Sequence, residues 1–289
     1  MIFFEVVFNG LVLGGIYSLT AMGLNLQYGV ARIVNLAYGE VLLLAAYASF
    51  FLFTAVQFNP LLSLLVTAAA AFALNWLFYR VMLTPLIKRA MSQLVLEGDT
   101  LLLTFGLLFV IEGSAFLAWG GDLRSYSYLL VPVDIAGVTF QANRLVACAA
   151  AFVIGIASFA YLRYTRVGTA VRALAVDPTS AQLVAINVAR YSAIVFAIGG
   201  ALAAISGTLL SMFISFNPTT GIVYTLKALI VIVMGGVGNM MGSLVAGLIL
   251  GVAESLGAHF VDPGLTLAIN YAIFMLVLLI RPSGLFARA

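Results

Sequence analysis

The chain has 289 residues, of which 64% are hydrophobic and 8% charged, with a mean hydropathy of +1.18 and a formal net charge of +3. A soluble domain carries roughly 25% charged residues, so water cannot solvate this chain and its place is a bilayer. The basic excess serves to orient such a chain rather than to bind nucleic acid, and one cysteine (Cys148) with one histidine (His259) argues against a disulfide framework or a cysteine- or histidine-based metal site.

The opening MIFFEVVFNG lacks a positive n-region and a small-residue cleavage site, and is read as the start of a retained first helix. Apolar segments follow at 3–27, 33–56, 60–82, 100–119, 144–162, 191–213, 221–235, 240–258 and 265–281. These give about eight or nine crossings by length. The stretch VARIVNLAYGE, which opens the second segment, is too polar for a simple lipid-facing helix. A broken or tightly packed helix is expected there, with Glu40 capping a freed backbone group or pairing with a cation. The seventh segment is short, contains Lys227 and reads as a half-helix or a broken one.

Loops 80–99 (Arg80, Lys88, Arg89) and 163–190 (Arg163, Arg166, Arg172, Arg190) fall on one side. The positive-inside rule makes that side cytoplasmic. Loop 120–143 and the turn HFVDPG fall on the other side. Nine crossings then put the N-terminus outside and the C-terminal RPSGLFARA, with Arg281 and Arg288, inside. Trp76 and Tyr79 near one face and Trp119 near the other fit interfacial belts. Small residues recur four apart in Gly10–Gly14–Ser18, Gly199–Ala203–Gly207–Ser211 and Gly247–Gly251–Ser255. Such stripes let backbones approach closely, either within this chain or against another membrane subunit.

No stretch matches the phosphate-binding G-x-x-x-x-G-K-[ST] pattern. GGVGNMMGS (235–243) lacks its lysine and reads as a tight turn between two spans. Between the fifth and sixth segments, Asp177 is a good helix N-cap and Pro178 suits the first helical position. TSAQLVAIN then places Ala181, Val184 and Ala185 on one face, with Thr179, Gln182 and Asn187 elsewhere. A helix of two or three turns results, too short to cross. It fits a cleft on a partner protein or the membrane interface. Charges at membrane depth are costly. Glu40, Glu112, Lys227 and Glu254, with Asn25, Asn35 and Asn270 as uncharged companions, are candidates for a translocation path or for structural pairing, Lys227 with Glu40 or Glu254.

GLNLQYGVARIVNLAYGE (23–40), GTAVRALAVDPTSAQLVAINVARY (168–191), LKALIVIVMGGVGNMMGSLVAGLILGVAE (226–254) and RPSGLF (281–286) together resemble branched-chain amino acid ABC transporter permeases of the LivH type, over essentially the whole chain. Two positions depart from that pattern. Tyr38 stands where the family usually has a histidine, and Gln182 where a glutamate is found. The resemblance implies an all-α polytopic membrane protein with the ABC importer permease fold, forming one transmembrane domain over 1–289 with a cytoplasmic coupling loop at about 163–190. It implies a coupling helix at 178–188, built from Asp177, Pro178, Thr179, Ala181, Gln182, Ala185, Ile186 and Asn187. It implies a second related permease, two ATP-binding subunits that carry ATP and Mg²⁺, and a periplasmic or lipid-anchored substrate receptor. The chain itself then has no cofactor and is not an enzyme; it sits in a bacterial or archaeal cytoplasmic membrane. The implied cargo is branched-chain or related amino acids, with urea and short amides as an alternative. A carrier driven by an ion gradient, using Glu40 and Glu254, and a passive channel are the competing readings.

Overall fold

The computed structural model describes residues 2–135, 138–282 and 284–286. Its helices are α1 (Ile2–Ala31), α2 (Tyr38–Val56), α3 (Pro60–Phe78), α4 (Thr84–Arg89), α5 (Gln93–Trp119), α6 (Ala142–Tyr164), α7 (Arg166–Val176), α8 (Pro178–Leu183), α9 (Val188–Ser211), α10 (Thr220–Gly235), α11 (Met240–Phe260) and α12 (Thr266–Ile280). Among the described residues eight helices are long and apolar enough to cross a membrane, with Pro60–Arg89 running as one of them. The chain is a polytopic all-α protein with one small exception. Strands β1 (Pro132–Ile135) and β2 (Val138–Gln141) form an antiparallel hairpin pairing Val133 with Phe140. Phe140 is buried against Phe8, ring centroids 4.3 Å apart, so the hairpin is tied to the start of α1.

Inside the third span, a π-helical turn at Tyr79–Leu83 joins α3 to α4. Pro85 has no backbone N–H to continue the regular ladder. The Thr84 amide therefore reaches back five residues to the Tyr79 carbonyl, and the Thr84 hydroxyl donates to the same oxygen at 2.9 Å. The Arg80 guanidinium lies 4.5 Å over the Trp76 ring at this end of the span. Trp119, at the opposite end, stacks on Tyr47 at 4.3 Å and helps close an aromatic cluster with Phe216.

Helix α9 is the axis of the bundle. Its apolar stretch is 78% buried, against 11% for Pro263–Ile280. Around it pack α1, α2, α3 and α7, and α11 lies along α1. The small-residue stripes explain how. A Cβ added at Gly10 would stand 2.6 Å from the Val252 Cα, and one at Gly14 2.8 Å from the Leu248 Cα. Real side chains do not reach those distances, so only glycine lets α1 and α11 meet. The Ser18 and Ser255 hydroxyls donate across the seam to the Leu244 and Val6 carbonyls, both at 2.7 Å. Gly199 packs on Gly23 and Gly207 on Leu42. All three stripes are thus filled by this chain's own helices, and none remains for the second membrane subunit that their spacing also allowed.

The structure revises the second segment. Helix α1 runs on to Ala31, and α2 starts at Tyr38 rather than near residue 33. Residues 32–37 between them are irregular. They lie beside α9, because the Tyr38 hydroxyl donates to the Gly199 carbonyl at 3.0 Å, midway along that helix. Irregular backbone is tolerated at such depth only when protein satisfies it. The Thr104 hydroxyl of α5 accepts from the Leu36 amide, Asn35 donates to Gln27 at 3.0 Å, and Gln27 donates to the Phe196 carbonyl at 2.9 Å. Helix α10 is the short seventh segment. Its sixteen residues span about 24 Å, less than the roughly 30 Å hydrocarbon core. The irregular stretch 212–219 leads into it, pinned where Phe216 and Arg124 exchange backbone hydrogen bonds of 2.9 and 2.8 Å. Within 235–243 the expected tight turn forms at residues 236–239, with Gly236 and Gly238 at φ +94° and +78°. Arg32, Arg80, Lys88, Arg89, Arg163, Arg166, Arg172, Arg190 and Arg281 gather at one end of the bundle by the alternation of spans. Arg288 lies outside the described residues.

Candidate functional sites: a buried polar core and a capped surface helix

The buried core centres on Lys227. Its Nζ is 2.8 Å from Glu254 Oε1 and donates to the Tyr17 hydroxyl at 2.7 Å. Tyr17 in turn donates to Glu254 Oε1 at 3.1 Å, and the Asn270 amide donates to Oε2 at 2.8 Å. The ammonium also lies 4.6 Å from the Tyr17 ring centroid and 5.5 Å from that of Tyr224. Four helices, α1, α10, α11 and α12, each contribute to this knot, so it fixes their mutual register. Lys227 chooses Glu254, one of its two expected partners; Tyr17 is a partner the sequence did not single out. The available signal was a phenol set among the small residues Gly14, Gly15 and Ser18 of α1.

The other polar candidates lie apart from it. Asn25 clamps the turn between α10 and α11. Its Oδ1 accepts from the Gly238 amide at 2.7 Å, and its Nδ2 donates to Ser243 Oγ at 2.7 Å and the Asn239 carbonyl at 3.1 Å. Asn35 holds the break before α2 through Gln27. Among the described residues, Glu40, fully buried in the first turn of α2, neither caps a backbone group nor meets a cation: both its oxygens lack a hydrogen-bond partner. It faces the backbone of Gly221, where any side chain would collide with the carboxyl. The expected cap does not form because the freed groups of this break are already engaged. The Gly39 amide donates to Thr225 Oγ1 at 2.8 Å and the Tyr38 amide to the Asn35 carbonyl at 3.3 Å.

At the Arg-rich end, α7 and α8 connect α6 to α9. Asp177 caps α8: Oδ1 accepts from the Thr179 amide at 2.9 Å, and Oδ2 accepts from the Ser180 hydroxyl. These donors, the Ser180 hydroxyl first, hold the Asp177 carboxyl below its ordinary value of 3.8. Pro178 is the first helical residue. The helix is shorter than its expected 178–188, however, and stops at Leu183. Ala185 takes a left-handed conformation, φ +60°. The Ile186 amide donates to the Ala181 carbonyl at 3.2 Å and the Ala185 amide to the Gln182 carbonyl at 3.1 Å. That six-to-one and five-to-two pair is a Schellman stop. Ala185 and Ile186 therefore belong to the terminating turn. Asn187 belongs to the next helix, its Oδ1 accepting from the Arg190 amide at 3.0 Å as the cap of α9.

The apolar face also differs from expectation. Ala181 turns inward and is buried, while Thr179 and Gln182 are exposed. The residues turned outward are large aliphatics: Leu183 is 86% exposed, Val184 69%, and Val176, just before the cap, 81%. The result is a capped, sharply stopped helix presenting aliphatic side chains at the basic end of a membrane bundle.

Residues 6–280 match the family described as "Branched-chain amino acid transport system / permease component". The chain belongs to that family. It is similar to the high-affinity branched-chain amino acid transport system permease protein LivH of Salmonella typhimurium, with 31% identity covering 99% of this chain and 96% of the relative. It is similar to the BraD permease protein of Pseudomonas aeruginosa, with 29% identity covering 97% and 94%. The probable LivH permease protein of Methanocaldococcus jannaschii shares 26% identity, covering 96% and 90%. No solved structure matches the chain. As a member of this family with eight membrane-length helices among the described residues, it is a multi-pass membrane permease component.

Proposed function

We propose that this chain is the membrane subunit of an ATP-driven importer of branched-chain or related aliphatic amino acids. It works with a second related permease, two ATP-binding subunits that carry ATP and Mg²⁺, and a periplasmic or lipid-anchored receptor. The Arg-rich end faces the cytoplasm and the N-terminus lies outside, in a bacterial or archaeal inner membrane. The observation that carries this reading is the capped helix α8 with Leu183, Val184 and Val176 exposed beside it. Aliphatic side chains held so far out of the bundle gain nothing from water and fit an apolar cleft on a partner. The lever is direct. Asn187 joins α8 to α9, and α9 carries Gly199 against α1 and α2 and Gly207 against α2. A pull on α8 is therefore transmitted to the bundle axis, and closure of the ATPase pair supplies the bias between inward and outward openings.

The test is co-purification of the ATP-binding subunits expressed with this chain. Leu183→Asp should abolish association while the chain still elutes as a folded membrane protein. Association that survives Leu183→Asp and deletion of 178–183 defeats the coupling assignment. The interrupted helices around 32–37 and 212–219, with Lys227 and Glu254 at depth, favour one competing reading, a carrier driven by an ion gradient. That reading requires the purified chain alone to accumulate solute in liposomes under a proton or sodium gradient.

A further inference from the structure

At the Arg-poor end, a cavity of about 140 Å³ opens between α1, α6 and the irregular stretch 212–219. It is lined by Asn9, Val12, Leu13, Arg144, Phe213 and Ile214. Arg144 is unusual here in three respects. It lies in the first turn of α6, where the helix dipole disfavours a cation. It forms no salt bridge among the described residues, where the ion pair found is Lys227 with Glu254. Its Nη1 donates to Asn9 Oδ1 at 2.7 Å, yet its Nε is buried with no partner. Its neighbour Asn143 fixes the wall, donating to the Met212 carbonyl at 3.0 Å and accepting from the Arg144 amide at 2.8 Å. A buried guanidinium N–H without an acceptor is costly, and a carboxylate is its best partner. The rest of the lining is aliphatic and aromatic. An apolar cavity of about 150 Å³ holds a ligand the size of benzene, so this one suits a branched aliphatic side chain.

We propose that this cavity is a loading site for an aliphatic amino acid, with the substrate carboxylate on Arg144 and its side chain against Val12, Leu13, Phe213 and Ile214. The inference rests on the functional reading above and specifies where that cargo first meets the permease. Its position supports the role. Asn9, Leu13 and Tyr17 follow one face of α1 at four-residue spacing, so the stripe that starts at the cavity ends on the Lys227–Glu254 knot. Phe213 and Ile214 belong to the break that feeds α10, the helix bearing Lys227.

Occupancy is read without transport. In a Cys148→Ala background, Ile214→Cys is labelled with a maleimide in the assembled complex, in nanodiscs of zwitterionic lipid only. Leucine should slow labelling, and Arg144→Gln should raise the leucine concentration needed by about tenfold or more, with Arg144→Lys between. Labelling indifferent to leucine overturns the proposal. So does protection that appears in parallel nanodiscs containing anionic lipid and needs no leucine, which would make the cavity a headgroup site. If Arg144→Gln fails to assemble, Ile214→Trp fills the cavity while leaving Arg144 and its partner Asn9 unsubstituted and should lower leucine delivered per ATP about tenfold or more; an unchanged ratio counts against the site. ATP-driven leucine uptake by the wild-type complex with no protection sinks this inference alone. Absence of ATP-driven leucine uptake sinks the functional reading itself.

Discussion

Replacing Lys227 by methionine tests the knot that joins α1, α10, α11 and α12. At 2.8 Å and an effective dielectric constant of about 20, the Lys227–Glu254 attraction is about 6 kcal/mol. Desolvating two ions offsets most of that, at several kcal/mol each. The pair as a whole therefore adds little over an apolar replacement. Removing one member is different, because it leaves the Glu254 carboxylate buried with only Tyr17 and Asn270 as donors. The expected destabilisation is about 3–5 kcal/mol. Glu254→Gln added to Lys227→Met removes the stranded charge; its one amide oxygen can accept from Asn270 while its amide nitrogen donates to the Tyr17 hydroxyl, so it should restore more than half of the loss. The assay is reversible unfolding by SDS titration in mixed micelles, comparing both single variants and the double variant with wild type. A Lys227→Met cost below about 1 kcal/mol, or a double variant no more stable than the single, would refute the reasoning.

Three further outcomes follow from the same structure. Gly14→Ala places a methyl against the Leu248 backbone and should cost about 1–3 kcal/mol in the same titration, whereas alanine at Gly113, where no heavy atom stands within 4 Å, should not destabilise. Asn25→Ala removes the acceptor of the exposed Gly238 amide and the donor to the buried Ser243 hydroxyl and should cost about 1–3 kcal/mol, with faster hydrogen exchange confined to 236–243. The Asp177 cap has a pH signature. Its folded pKa lies below the ordinary 3.8, so its contribution is fully present above that value and is lost only as pH falls through the depressed one. Exchange protection at Thr179 and Ser180 should be unchanged between pH 7 and about 5, and Asp177→Ala should abolish it throughout.

How much could be read in advance varied with the range of the interaction. Spans, tight turns and the Asp177–Pro178 cap are local, because hydropathy over a window and one side chain bonding an amide two residues away depend on neighbours in sequence. The stop at Leu183 was missed because it requires Ala185 in a left-handed conformation, which alanine seldom takes. The α8 face was misassigned for a related reason: at six residues the helix is too short for periodicity to fix its rotation, and packing of Ala181 onto the bundle decided it.

The sequence alone determined that this is a many-helix membrane protein with its basic loops at one end, that its small-residue stripes would bring helices into contact, and which polar residues lie at depth. It could not determine their partners. Lys227 meets Glu254 and Tyr17, 27 and 210 residues away, while the Glu40 carboxyl finds no hydrogen-bond partner among the described residues. Arg144 gained its significance only when the 212–219 break folded against α1. In a bilayer each helix satisfies its own backbone, so local sequence suffices to make it. Which buried charge faces which is set by how finished helices dock, through contacts distant in sequence that no local pattern encodes.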